Sequence, residues 1–84
     1  MKNKFILESL ASDLKRVALG KHRGSAKMAE RFMTEALKRK QEIDESEIDS
    51  YIKKILSKVS SSLDAEEALM YSTLIQNYTQ VRLA

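Results

Sequence analysis

Proline is absent from this chain, and its only two glycines, Gly20 and Gly24, sit in one short stretch, Leu19-Gly20-Lys21-His22-Arg23-Gly24-Ser25. Elsewhere every residue carries a side chain compatible with helical backbone, so this single break dominates what the chain can fold into. Apolar residues on both sides recur at spacings of three and four, and period-two strand patterns are hard to find. The expected fold is all-α, a small antiparallel four-helix bundle in one domain spanning residues 1–84.

Four helices are predicted, at about 3–19, 25–41, 45–60 and 64–82. In the first, Leu7, Leu10, Leu14, Val17 and Ala18 form the stripe, widened by Phe5 and Ile6. Gly20 is expected to end this helix in the left-handed conformation that lacks a side-chain clash only for glycine. Ser25 is the expected cap of the second helix, whose apolar face is Met28, Ala29, Phe32, Met33, Ala36 and Leu37. An acidic link at 42–49 precedes the third helix. Its cap is expected at Asp44 with Glu47 reaching back, or at Ser46 with Asp49. Ile48, Ile52, Ile55, Leu56 and Val59 would be buried. Ser60-Ser61-Ser62 forms the next corner, because serine side chains compete for local backbone groups. Asp64 and Glu67 then spell a capping box for the fourth helix.

The fourth helix is apolar over more than one stripe. Ala68, Tyr71, Leu74, Ile75, Tyr78 and Val81 recur on one face, and Leu69 and Met70 widen it. Three partner helices in so small a domain cannot cover that width. A homodimer is therefore expected, with Leu69, Met70, Leu74, Tyr78 and Val81 at its interface.

Composition removes several functional classes. Without cysteine there is no disulfide, thiolate chemistry or thiolate metal site. With one histidine a structural zinc site is not expected, and neither is any cofactor. The basic start Lys2-Asn3-Lys4 leads into Phe5-Ile6-Leu7, but Glu8, Asp13, Lys15 and Arg16 interrupt the run too early for a signal peptide. The chain is expected to be cytoplasmic, with no integral membrane association.

Charge is unevenly divided. Residues 1–40 carry a balance of +7 and residues 41–84 one of −4, for a net charge of +3. The first half can therefore steer an anionic partner. Lys15, Arg16, Lys21, His22, Arg23, Ser25 and Lys27 cluster around the glycine break and form the candidate nucleic-acid or anion-binding site. Lysine offers a mobile point charge, arginine a directional fork to phosphate oxygens, and backbone N–H groups near Ser25 can add to them. The spacing is neither a P-loop nor a dinucleotide fingerprint. The primary expectation is an interaction or assembly module, with RNA, DNA or another protein as partner, and no catalytic residues are assigned in that reading.

One alternative makes the chain an enzyme. Arg16 and His22 are separated by five residues, and this R-x5-H spacing resembles the arginine–histidine signature of HEPN-type helical ribonucleases. That resemblance covers residues 16–22. It implies a metal-independent ribonuclease working as a dimer, with Arg16 stabilising phosphate charge and His22 assisting proton transfer.

Overall fold

The computed structural model describes residues 2–83, with Lys2 through its backbone alone. It is a compact all-helical fold of four α-helices and one 3-10 turn. α1 spans Lys2–His22, α2 Ala26–Glu42, α3 Ser50–Ser57 and α4 Ala65–Arg82, with the 3-10 turn at Glu45–Glu47. The molecule measures 36 × 20 × 18 Å. Its long dimension is close to the roughly 31 Å expected of a 21-residue helix.

α1 is the central helix and packs against both α2 and α4. Leu7, Leu10, Leu14 and Val17 are completely buried along it, and Ile52, Ile75, Ala36 and Ala68 close over them from the other helices. Two polar groups tie the frame together. Ser72 Oγ of α4 donates to the Ala11 carbonyl of α1 at 2.6 Å. Asn3, 1% exposed, donates through Nδ2 to the Asp44 carbonyl at 2.8 Å and accepts from the Asp44 N–H at 3.0 Å. The start of α1 thus holds the chain just beyond α2, while Gly20 near the end of α1 lies against Ala29 near the start of α2.

The two glycines divide the work differently from the sequence expectation. α1 does not end at Gly20 but continues to His22. Gly24 is the residue with positive φ, at 75°. Its N–H donates to the Lys21 carbonyl at 3.2 Å, and the next N–H, of Ser25, donates to the Gly20 carbonyl at 2.8 Å. This is the Schellman arrangement, which satisfies carbonyls left over at a helix end. Ser25 closes α1 and opens α2 at once, because its Oγ accepts from the Met28 N–H. Gly20 instead serves packing. A Cβ placed on it would lie 2.8 Å from the Ala29 nitrogen and 3.2 Å from the Ala29 Cα.

The expected third helix, 45–60, is broken into pieces. Asp44 Oδ1 accepts from Ser46 N–H and starts only the 3-10 turn. Asp49 caps α3 by accepting from Ile52 N–H, a role not assigned to it from the sequence. α3 then ends at Ser57, although Val59 and Leu63 beyond it remain in the core. Lys40 Nζ donates to the Val59 carbonyl at 3.0 Å and fastens this irregular segment to α2. The fourth helix begins as read from the sequence: Asp64 accepts from Glu67 N–H at 2.8 Å and Glu67 Oε1 accepts from Asp64 N–H at 3.1 Å.

Candidate functional site

Of the basic corner, Lys21, His22, Arg23 and Lys27 stay together around the turn, while Arg16 is set apart on α1. Arg16 lies near Asp13, 3.8 Å from Nη1 to Oδ1, and its guanidinium sits 5.3 Å from the Phe32 ring centroid. Arg31 lies 5.6 Å from the same ring. Lys15 is exposed on a neighbouring face of α1. Lys21, His22, Arg23 and Lys27 are all exposed around the turn, whereas the Ser25 hydroxyl is occupied as a cap. In an unbroken helix six residues turn the chain through about 600°, so Arg16 and His22 point roughly 120° apart. The structure therefore does not bring that pair together on one face.

Beside Lys21 an open groove of about 660 Å³ runs along α2, with Met33 and Leu37 in its floor and Ser61 on the far wall. A second hollow of about 620 Å³ shares Leu37 and continues toward Lys53 and Glu45. The first is lined by the end of α1, by α2 and by Ser61, the second by the end of α2, the 3-10 turn and α3. Among the described residues no group of three or more His, Asp or Glu side chains is placed to hold a metal ion. No described helix is long and apolar enough to cross a membrane.

The opposite edge of α2 meets a charged cluster that sequence spacing did not reveal. Asp13 is 8% exposed within the α1 stripe, close enough to Arg16, Arg39 and Glu35 to feel their charges. Its Oδ2 and the Arg39 Nε are buried without a hydrogen-bond partner among the described residues, while Arg39 Nη1 lies 3.6 Å from Glu42. Burial pushes the Asp13 carboxyl above its ordinary value of 3.8; Arg39 and Arg16 pull it down, and Glu35 raises it further. A carboxyl that holds its proton more tightly when folded favours folding most below the unfolded pKa, and that contribution is lost as pH rises through the folded pKa. Asp13→Asn is therefore expected to raise the thermal midpoint relative to the parent at about pH 7 and to lose this advantage at about pH 3. Thermal melts followed by circular dichroism at both pH values check it; an equal shift at both would show that charge is not the cause.

The residues expected at a dimer interface fall on different sides of α4. Met70 and Val81 are 47% and 76% exposed, and Leu74 beside them is half-buried against the core. Leu69 is exposed too, but about 100° or more around the helix from Met70, Leu74 and Val81. Tyr78 is buried and stacks with the half-exposed Tyr51 of α3, centroids 6.3 Å apart. Tyr51 thereby extends the Met70–Val81 side of the surface across to α3.

Comparison with protein-family profiles, characterised proteins and solved structures finds no match for the chain.

Proposed function

We propose that this chain is a helical assembly module that pairs with a second copy through the outward face of α4, completing the antiparallel bundle on that side. The observation that carries this reading is the run Ala68–Val81. In a chain whose residues are 32% charged, these fourteen consecutive positions hold no charge. They nevertheless include the exposed Met70 and Val81, which share one side of the helix. Interface cores are depleted in charged residues, and a two-fold contact sets one patch against its own copy, where like charges would repel. An uncharged, partly apolar helix face suits that geometry.

Sedimentation equilibrium over a range of concentrations tests it. The expected mass is twice the 9.6 kDa of the chain. Met70→Glu with Val81→Glu, both at exposed positions, is expected to weaken association by about a hundredfold or more, because it buries carboxylates at the contact. Far-UV circular dichroism should stay unchanged. A 9.6 kDa species at every concentration refutes the reading.

The exposure of Lys21, His22, Arg23 and Lys27 around one turn favours a second reading, phosphate-backbone binding by the corner. Single-stranded RNA is then expected to bind in low salt, to dissociate as salt rises, and to bind less well to Lys21→Gln/Arg23→Gln. Fluorescence anisotropy reads all three, and salt-independent binding or equal binding by the variant removes this role.

A further inference from the structure

We propose that the two α4 helices of the assembly pair in opposite directions, with the partner's Val81 facing Met70. This rests on the assembly reading above and specifies its geometry. The first support is spacing. Met70, Leu74, Asn77 and Val81 follow one another at intervals of four, three and four, and Glu67 precedes Met70 by three. That is the a/d pattern of a coiled-coil seam. On a helix these five positions lie within an arc of about 80°, turned away from the buried arc of Ala68, Tyr71, Ile75 and Thr79. The seam is therefore a second face, separate from the one that packs on α1.

Charge supplies the direction. The ends of the uncharged run are of opposite sign: Glu66 and Glu67 precede it and Arg82 follows it. Parallel pairing would set acid against acid and arginine against arginine. Opposed pairing brings each Arg82 to within about a turn of the partner's Glu67 in height along the helix axis, with its long side chain free to reach around from the flank of the seam. Arg82 Nη1 lies 3.2 Å from Asp49 Oδ2 in its own chain, and its side chain is 62% exposed. A guanidinium has five N–H donors, so other donors remain for a second carboxylate. The a-to-d matching of opposed helices then places Met70 against the partner's Val81, and Leu74 against the partner's Asn77.

Ser61, just before α4, shares a groove with Lys21, so the basic corner lies at the N-terminal end of α4. Opposed α4 helices carry the two corners to opposite ends of the dimer. The Arg16 and His22 of one copy then cannot complete a paired site with those of the other.

The chain has no cysteine, so engineered thiols report only on the positions chosen. Met70→Cys, Val81→Cys and the double variant are oxidised mildly as full-length chains, and cross-linking is read on non-reducing gels. The expected result is covalent dimer from the double variant and from an equimolar mixture of the single variants, with little from either single variant alone. Efficient self-linking by Val81→Cys alone signifies parallel helices and overturns the proposal. So does the absence of every cross-link in a chain that sediments as a dimer. Either outcome leaves the assembly reading standing, whereas that reading itself fails if the parent chain sediments as a monomer.

Discussion

Gly20→Val is expected to destabilise the protein by about 3 kcal/mol or more, beyond the usual penalty for overfilling a well-packed site. For a domain of this size that corresponds to a fall in thermal midpoint of roughly 12 °C or more. Gly20 lies inside α1, where the ordinary effect of replacing glycine by alanine is a gain of about 1 kcal/mol from helix propensity. Here the added Cβ meets the Ala29 nitrogen at 2.8 Å and the Met28 Cγ at 3.2 Å. The methionine end can swing aside. The Ala29 backbone cannot move without lifting α2 from α1. Gly20→Ala therefore has the opposite sign from an exposed helix glycine, a net loss of about 1 kcal/mol or more, and valine adds two methyl groups to the same contact. Urea titrations of both variants measure it. A Gly20→Ala protein more stable than its parent would show that the helices do not touch this closely.

Much of the fold was legible because its signals are local. Ser25 and Asp64 accept from the backbone N–H groups that their sequence context implies, and the Leu7–Val17 stripe is the buried face of α1. Gly20 departs from its expected role as the helix-ending residue for an equally physical reason. Either glycine can take positive φ, and only tertiary contact decides between them. Ala29 presses on Gly20, so that glycine is needed for its missing side chain, and the turn falls to Gly24. The segment 45–60 carries several competing caps, and spacing alone does not choose among Asp44, Ser46 and Asp49. The apolar stripe there extends through Val59 and Leu63, which remain buried without being helical. Burial was readable from the pattern, but the backbone conformation that delivers it was not.

The candidate sites were legible in composition more than in geometry. Seven residues near the corner were grouped by sequence proximity, yet Arg16 turns to Asp13 and Phe32, Lys21 lines the groove beside α2, and Ser25 is a cap. In α4 the apolar excess was visible, but apolarity does not say which flank a residue occupies. Which sides Leu69 and Val81 face, about 120° apart on the helix, and the burial of Tyr78 beside Tyr51 depend on where α1 and α3 lie. The absence of charge from Ala68 to Val81 is a signal of another kind, one of composition that holds on every side of the helix and so names no flank. Asp13 shows the converse: its position within the α1 stripe is as informative as its charge.

Asn3→Asp is expected to destabilise the protein by about 3 kcal/mol at about pH 7, and to recover most of that loss in acid. The Asn3 amide uses both halves on one residue: Nδ2 donates to the Asp44 carbonyl, and Oδ1 accepts from the Asp44 N–H. Aspartate keeps the acceptor but turns the donor into an anionic oxygen facing a carbonyl oxygen, at a position only 1% exposed. Desolvation and this repulsion both raise the carboxyl pKa in the folded state. Protonation restores an O–H donor in the place of the amide N–H, so the acid form can make the same two bonds. The sign follows from linkage: the folded state binds the proton more tightly, so stability rises as pH falls through the folded pKa toward the unfolded one. Asn3→Ala loses both bonds as well, at about 1–3 kcal/mol, but has no group to protonate. Urea titrations from about pH 7 down to about pH 4 separate the two variants. A pH-independent gap between Asn3→Asp and Asn3→Ala would refute the assignment of the Asn3–Asp44 pairing as the clasp that holds the end of α2 to the start of α1.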